Sequence, residues 1–442
     1  MLNNVSMISL GCAKNLVDSE HMLGILRSNG FNLTSEIAEA EFAIINTCGF
    51  LESAVEEAIE TILETALLKK EGRLKRLVVT GCLVQRYGYK LAKEIPEVDG
   101  WLGTGEIARV AEVLGHDSKG PPPFLIGRPA FLADHRLPRV QSTPSYTAYL
   151  KIAEGCSHRC AYCIIPKLRG PFRSRPIPSV VREAKEMADR GVKEINLIAQ
   201  DTSLYGSDLY GEPRLTQLLK RMIRIDGIAW IRLLYLHPNR VSESLLDLMD
   251  SEETICPYLD IPLQHVNQTL LRSMGRDPQR ETAEELMDRI RRRKRDISIR
   301  TTLMVGFPGE TEEMFTQLCS FVKTAQLDHV GVFTFSPETG ARAARLKSTV
   351  DRDTAKKRLA RLVTLQADVS KKLNERKVGR LLPVLVEGTS PETDLLLTGR
   401  TAGMAPDVDT KVLINDGEGI VGDIMPVRIT EAHTYDLVGS IV

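Results

Sequence analysis

Short apolar runs alternate with longer amphipathic segments along most of this chain. In the first part, apolar runs predict strands at residues 5–10, 41–46, 77–80 and 98–102, and amphipathic segments predict helices at 16–28 and 52–68, a helix ending at Lys93 and a closing helix from Glu106. Strands that alternate with helices indicate a parallel sheet with helices on both faces. We therefore predict an open parallel α/β domain over residues 1–118.

The same alternation returns after a proline-rich segment. Residues 119–144 include the run Pro121-Pro122-Pro123 and show little periodicity, so they are predicted to be a linker. Over residues 145–372, strands are predicted at 146–152, 194–199, 230–236, 258–263, 297–305 and 330–335. Six parallel strands are too few for the closed eight-stranded barrel, so an incomplete (β/α)6 barrel, open at one side, is expected.

Residues 373–442 have a different pattern. A long helical segment at 353–377 leads into short β-rich runs at 382–387, 394–398, 411–414, 424–430 and 436–438, separated by Gly and Asp-Gly turns. Runs of this kind predict a small antiparallel β-barrel.

Charge narrows the choice of partners. The 442 residues include 58 basic and 58 acidic side chains, so the chain as a whole is not an electrostatic binder of nucleic acid. From Arg380 to Val442, however, ten acidic and four basic residues give a net charge of −6. An acidic barrel repels phosphates, which favours a basic protein as partner. An acidic surface that serves only solubility is the alternative.

Cysteine content and hydropathy indicate the compartment. Eight cysteines in a chain of this length are too few for a disulfide scaffold. No stretch approaches the ~20 apolar residues of a membrane span. The expected location is the reducing cytoplasm.

Three of the cysteines lie close together at Cys156, Cys160 and Cys163, directly after a predicted strand. Thiolates at this density bind metal more readily than they pack, and three ligands leave one iron of a four-iron cluster open for a reactant. The alternative is a zinc ion with His158 as fourth ligand, although zinc ligands usually come as pairs separated in sequence. The spacing therefore favours an iron–sulfur cluster.

Three further cysteines, Cys12, Cys48 and Cys82, each follow a predicted strand and lie beside a glycine. Because the carboxyl ends of parallel strands share one edge of a sheet, these cysteines are predicted to converge on a second cluster. The alternative is that they are buried core cysteines. Core packing is the prediction for Cys256 and Cys319, which lack comparable surroundings.

Several motifs together resemble the radical S-adenosylmethionine methylthiotransferases, over essentially the full length. The motifs are Gly155-Cys156-x3-Cys160-x2-Cys163-Ile164-Ile165-Pro166, Arg169-Gly170, Arg173-Ser174-Arg175, Gly11-Cys12-x-Lys14-Asn15, Asn46-Thr47-Cys48 and Gly81-Cys82. The resemblance implies a methylthiotransferase amino-terminal domain, a radical core and a carboxyl-terminal TRAM domain.

The resemblance also implies the cofactors. Two [4Fe-4S] clusters would be held by the two cysteine sets, and S-adenosylmethionine would chelate the open iron on Cys156, Cys160 and Cys163. Tyr162 would lie against the adenine, Gln200 and Asp201 near the methionine end and Gly306 beside the adenosine. No catalytic residue is required beyond the cluster ligands.

Members of this family modify either a tRNA adenosine or a small-subunit ribosomal protein. The segments Lys151-Ile152-Ala153-Glu154-Gly155-Cys156 and Ala405-Pro406-Asp407-Val408-Asp409 resemble the ribosomal branch, although Thr410 stands where glycine is common. The expected activity is transfer of a methylthio group to the β-carbon of an aspartate in ribosomal protein S-twelve. The basic substrate would be bound through the acidic TRAM domain of a monomeric enzyme that also needs an electron donor.

Two alternatives stay open from the sequence. One is the tRNA methylthiotransferase, and the other, of a different class, is a zinc-dependent ribosome-binding module without catalysis.

Overall fold

The computed structural model describes residues 3–116, 120–276, 281–347 and 350–442. The predicted boundary at residue 118 and the predicted start of the linker at 119 lie outside the described residues. The described part forms two six-stranded parallel sheets, a two-stranded sheet and a closed five-stranded barrel. The mixed α/β class predicted from the sequence is thereby confirmed.

The amino-terminal sheet has the strand order β2-β1-β3-β4-β5-β6. Its elements are β1 (Asn4–Ser9), α1 (Ala13–Ser28), β2 (Asn32–Thr34), β3 (Phe42–Thr47), α2 (Glu52–Lys70), β4 (Arg76–Gly81), α3 (Cys82–Glu94), β5 (Gly100–Leu102), α4 (Val110–Leu114) and β6 (Phe124–Leu125). Successive residues of β3 and β4 are buried on opposite faces, because α2 and α3 cover one face and α1 and α4 the other. This sandwich explains the nearly continuous apolar runs.

The second sheet is an open half-barrel of six parallel strands in the order β7-β10-β11-β12-β13-β14. Its elements are β7 (Thr147–Lys151), β8 (Ala153–Glu154), α5 (Ile165–Arg169), β9 (Arg173–Ser174), α6 (Ile177–Asp189), β10 (Glu194–Ile198), α7 (Ser207–Tyr210), α8 (Leu215–Met222), β11 (Trp230–Leu233), α9 (Glu243–Ser251), β12 (Ile255–Asp260), α10 (Gln268–Ser273), α11 (Ala283–Arg291), β13 (Ser298–Val305), α12 (Glu312–Thr324) and β14 (His329–Thr334). Helix side chains and strand side chains share one large core. The incomplete barrel is as predicted.

The tail is a long helix followed by a closed barrel in the order β15-β16-β17-β19-β18. Its elements are α13 (Arg352–Glu375), β15 (Leu381–Ser390), β16 (Thr393–Thr401), β17 (Val412–Asp416), β18 (Ile424–Ala432) and β19 (Leu437–Ile441). One pairing differs from the antiparallel prediction, because β19 returns between β17 and β18 and so runs parallel to β17.

The three parts of the chain meet in one apolar cluster. Leu385 and Ala405 of the tail pack with Tyr149 and Trp230 of the half-barrel and with Val17 of α1. The tail also binds the beginning of β10, where Arg400 forms an ion pair with Glu194 at 2.7 Å. The amino-terminal ends of the strands are thus covered by the tail. Among the described residues, no helix is long and apolar enough to cross a membrane.

Candidate active site

The first cysteine set lies at one edge of the amino-terminal sheet. Cys12 follows β1 and caps α1, Cys48 follows β3, and Cys82 begins α3 directly after β4. The strands β1, β3 and β4 are neighbours, so the three thiols converge closely enough for their charges to interact. The structure thus brings together the residues that the sequence predicted as one set.

Two glycines make this convergence possible. A Cβ on Gly11 would lie 2.9 Å from the Cβ of Cys48, and a Cβ on Gly81 would lie 2.5 Å from the Thr47 carbonyl oxygen. Both glycines also have positive φ, which other residues rarely adopt. A side chain at either position would therefore push the cysteine-bearing loops apart.

The second cysteine set lies in the loop between β8 and α5. Cys156, Cys160 and Cys163 influence one another electrostatically, and the backbone N–H of Ile165 donates to the Cys163 sulfur at 3.4 Å. All eight cysteines are free thiols, and the two outside these sets, Cys256 and Cys319, are buried in apolar clusters.

The pKa values of the thiols determine whether they must lose a proton when they bind metal. Burial raises the pKa of Cys82 and of Cys156 to about 11 and that of Cys163 to about 12. The surrounding protein would also raise the pKa of Cys12, but the charges of Lys14 and Arg169 outweigh this effect and lower it. Cluster assembly on these thiols should therefore release protons.

The donor arrangement fits iron–sulfur clusters better than zinc. Within the described residues, no group of three or more His, Cys, Asp or Glu side chains is placed to hold one metal ion. Zinc needs its ligands ~2.3 Å from a single ion, whereas the ligands of a four-iron cluster bind separate iron atoms and stand farther apart. His158, the candidate fourth zinc ligand, instead binds Asp201, with its Nε2 2.7 Å from the carboxylate.

The two cysteine sets are neighbours in the structure. Cys82 of the first set packs with Ile164 and Leu168, which follow Cys163 of the second set along the chain. The carboxyl end of the half-barrel therefore faces the cysteine edge of the amino-terminal sheet.

A buried ion network fixes this arrangement. Arg169 donates to Asp18 at 2.6 Å and to Asn15, and Lys151 donates to Glu154 at 2.6 Å and to Asp18. Burial alone would raise the pKa of Glu154, but the charges of Lys151 and Arg169 hold it at about 2. The network joins α1 to the half-barrel beside both cysteine sets.

Three of the four residues expected to contact S-adenosylmethionine, Tyr162, Gln200 and Asp201, lie beside the second set. Tyr162 is half-buried against Met274 and Phe307, and its hydroxyl reaches the Cys160 thiol. Gln200 donates to Glu154 at 3.1 Å, while its buried Oε1 has no partner among the described residues. An orphaned acceptor at this position can receive a hydrogen bond from a bound amino group.

Asp201 and Gly306 are the other two residues expected to contact the cofactor. The Asp201 carboxylate is buried and is held by His158 and by Arg240 at 3.3 Å. Gly306 has positive φ, donates its N–H to Glu310 and lines a groove of about 980 Å³ between the amino-terminal domain and the half-barrel. The other walls of the groove include Arg86, Tyr87 and Phe335. The contacts predicted for these residues with the cofactor stay predictions.

Several charged residues at the site had no role in the sequence-based prediction. Lys14 and Arg169 occur in the quoted motifs, and Glu154 and Asp260 interrupt otherwise apolar segments. A buried charge at the carboxyl end of a strand is a signal of function that could have identified the last two. Asp260 has a pKa raised by burial to about 6, partly offset by Arg300.

Family models match the three parts of the chain. The uncharacterized protein family UPF0004 matches residues 4–103, the radical SAM superfamily matches 150–322, and the TRAM domain matches 378–442. A solved structure with a similar fold is the radical S-adenosylmethionine methyltransferase TsrM from Kitasatospora setae, at a TM-score of 0.54 and 16% identity over 76% of this chain and 75% of that one. The family models place a radical SAM core between the amino-terminal domain and a TRAM domain, and the solved structure has a similar fold.

Curated relatives narrow the class. The ribosomal protein uS12 methylthiotransferase RimO of Pelobacter propionicus is 48% identical over 99% of this chain and 97% of its own. The proteins of the same name from Geobacter sulfurreducens and Myxococcus xanthus are also 48% identical over 99% of this chain, and over 98% and 91% of their own. The chain belongs to the RimO family. Because the chain belongs to an enzyme family, the alternative of a non-catalytic zinc module is not supported.

Proposed function

We propose that this enzyme transfers a methylthio group to the β-carbon of an aspartate in ribosomal protein uS12 and uses two [4Fe-4S] clusters and S-adenosylmethionine. The observation that carries the proposal is the contact of Cys82 with Ile164, beside Cys163, which sets two three-thiol groups next to each other. Each group offers a four-iron cluster three ligands and leaves one iron open.

The residues have separate tasks in this proposal. Cys156, Cys160 and Cys163 would hold one cluster, which would supply the electron for reductive cleavage of S-adenosylmethionine. Cys12, Cys48 and Cys82 would hold the second cluster, which would supply the sulfur chemistry of the transfer. The protein positions these groups. The Oε1 of Gln200, which has no partner in the described structure, accepts a hydrogen bond from the amino group of S-adenosylmethionine.

The substrate is bound in part by the TRAM domain. Several of its acidic side chains are used within the chain, among them Asp409, which is held by Arg300 and His329, and Asp423, which is held by Lys193. Other acidic side chains are exposed and form no ion pair within the described residues: Glu392, Asp394, Asp416, Glu418 and Glu431. These free carboxylates suit a basic ribosomal protein, and the enzyme then works in the cytoplasm as a monomer with an external electron donor.

Replacing each cysteine set separately tests the two-cluster proposal. The wild-type chain, reconstituted without oxygen, should bind about eight iron atoms, and each triple Cys→Ala variant should bind about four. Ala at Cys156, Cys160 and Cys163 should abolish cleavage of S-adenosylmethionine. Ala at Cys12, Cys48 and Cys82 should spare cleavage but stop methylthio transfer, and product formed by that variant would contradict the role of the first set.

Incubation with each substrate separates the two family branches. The reduced enzyme is given uS12 or tRNA, and the mass gain of a methylthio group is measured. A gain on uS12, mapped to one aspartate, is expected. A gain on tRNA alone would refute the proposed substrate.

A further inference from the structure

Three basic side chains are buried where the two cysteine sets meet, and two of them are fully engaged. Arg169 binds Asp18 and Asn15, and Lys151 binds Asp18 and Glu154. Both groups donate within the network that holds the domains together. The third is Lys14, which is 8% exposed.

Lys14 has no acceptor for its ammonium group. Among the described residues it forms no ion pair and no hydrogen bond through Nζ, and its contact is with the face of the Tyr235 ring, 3.1 Å from the ring centroid. A buried ammonium without a hydrogen-bond acceptor is costly unless a ligand supplies one.

The position of Lys14 in its helix makes the charge harder to explain structurally. Lys14 lies in the first turn of α1, where the helix dipole disfavours a cation, and no acidic residue is present in that turn. Helix formation therefore does not account for a buried lysine here, and the anionic groups that face it, Cys12, Asp260 and Glu154, make no hydrogen bond with its ammonium group.

The surroundings of Lys14 place it beside the reacting groups. Cys12 of the first set precedes it by two residues and is exposed. Tyr235, whose ring Lys14 covers, follows β11 in a left-handed conformation with φ of 62°. Its backbone N–H donates to Asp260 at the carboxyl end of β12. Lys14 thus bridges the cysteine edge of one sheet and the carboxyl ends of the other.

We propose that the Lys14 ammonium binds the side-chain carboxylate of the substrate aspartate and thereby positions its β-carbon between the two cysteine sets. The inference rests on the proposed function, because it takes the substrate to be an aspartyl residue. A carboxylate is the ligand that an unpaired buried ammonium selects, and an uncharged side chain of the same shape would offer it a weaker hydrogen bond and no charge. Lys14 is in this respect a specificity-determining residue.

The experiment crosses a change in the enzyme with a change in the substrate. Reconstituted wild type, Lys14→Met and Lys14→Arg are combined with uS12 that carries Asp, or Asn in its place, at the modified position. Binding is measured by fluorescence anisotropy of labelled uS12, and transfer by the mass of the product. Lys90→Met, on the exposed face of α3, is the matched control.

Loss of the charge should matter only when the substrate carries the carboxylate. For uS12 with Asp, Lys14→Met should lower kcat/KM about 10- to 100-fold, the loss expected for one charged hydrogen bond, and should weaken binding in the same direction. For uS12 with Asn, Lys14→Met and wild type should bind alike. Lys14→Arg should retain part of the preference for Asp, and Lys90→Met should match wild type.

Two outcomes would overturn the role of Lys14. One is an equal loss of binding on both forms of uS12. The other is a loss of iron, or of S-adenosylmethionine cleavage without uS12, which would make Lys14 a structural support of Cys12. If the wild-type chain itself forms no product on uS12, the proposed function fails, and the role of Lys14 fails with it.

Discussion

Arg169 is the residue on which the relation between the two cysteine sets depends most directly. Its guanidinium is buried and donates to Asp18 and Asn15 of α1. Arg169 itself belongs to the half-barrel and follows Ile164 by five residues. Its charge also lowers the pKa of Cys12, after the larger effect of Lys14. One side chain thus joins two domains and stabilises thiolate at the first set.

Replacing Arg169 should therefore affect both stability and iron binding. Arg169→Met leaves Asp18 and Glu154 with Lys151 as their remaining cation, so we expect a loss of about 3 kcal/mol in the free energy of unfolding, the lower end for a broken buried pair. Iron bound by the first set should fall. Urea denaturation and iron analysis measure the two effects. Arg182→Met removes an exposed pair with Glu186 and should change stability by under about 0.5 kcal/mol. Equal behaviour of the two variants would contradict the role of Arg169.

The cysteines of the site could be predicted from the sequence, but the contacts of Arg169 with α1 could not. The close spacing of Cys156, Cys160 and Cys163 is local, and Cys12, Cys48 and Cys82 each follow an apolar strand, so both sets are visible in the residue order. The partners of Arg169 lie on α1, some 150 residues earlier in the chain, as the 151-residue separation from Asp18 shows. No periodicity or spacing connects such distant residues, and only the packed domains bring them together.

At the scale of elements, α1 is fastened to the half-barrel by the segment that enters β7. The N–H of Val140 donates to the Glu20 carbonyl at 3.0 Å, and Arg139 binds the carboxylates of Glu20 and Glu183. Pro138 and Arg139 approach the helix so closely that a Cβ on Gly24 would lie 2.4 Å from the Pro138 carbonyl. The predicted linker is thus closely packed on a helix at its carboxyl end.

This packing reverses the usual effect of a glycine in a helix. Alanine in place of a helical glycine generally stabilises by about 0.5–1 kcal/mol. For Gly24→Ala we expect instead a loss of about 1–3 kcal/mol, because the new methyl group would overlap rigid backbone. Thermal denaturation measures the change, and Ser28→Ala at the exposed end of α1 is the control. A stabilised Gly24→Ala variant would show that the segment does not hold α1 in solution.

Most strands of the sheets could be predicted from the sequence, and the strands that could not are short. The core strands are continuous apolar runs, but β2 has three residues and β6 has two, too few to establish a period. The parallel pairing of β17 with β19 also had no signal, since it is decided by which barrel strands become neighbours after closure.

At the scale of the whole molecule, two acidic surfaces could receive a basic substrate. One consists of Glu392, Asp394, Asp416 and Glu418 on the tail, and the other of Glu56, Glu57, Glu60 and Glu64 on α2. The proposed function uses the first. Reversing all four charges to Lys on the tail should reduce association with uS12 about tenfold or more at low salt, because charge complementarity mainly steers encounter. The same reversal on α2 changes the net charge equally and should have little effect. The opposite result would indicate that uS12 binds to the acidic surface on α2.

Buried carboxylates hold the junction between the tail and the half-barrel, and Glu194 is one of them. Glu194, at the start of β10, binds Arg400 of the tail at 2.7 Å and Arg232 of β11 at 2.9 Å. Burial alone would raise the pKa of Glu194, but the two guanidinium groups outweigh it and hold the pKa at about 2. Because the folded-state pKa lies below the ordinary value, this carboxylate stabilises the junction above about pH 4.5, and the contribution disappears as the pH falls toward 2.

The tail should therefore separate from the half-barrel in acid before the other domains lose their structure. The chain has two tryptophans, and Trp230 lies in the cluster shared with Leu385 of the tail, whereas Trp101 belongs to the amino-terminal core. In a Trp101→Phe background, the fluorescence of Trp230 should report the separation between pH 4.5 and 2. Glu194→Gln leaves the buried guanidinium of Arg232 without a carboxylate and that of Arg400 with Glu387 alone, so it should weaken the junction by about 3 kcal/mol at pH 7 and remove this part of the acid transition. The exposed control Glu186→Gln should keep the wild-type profile, and an unchanged profile for Glu194→Gln would mean that the other contacts of the junction, such as Asp409 with Arg300 and the packing around Trp230, hold the tail in place.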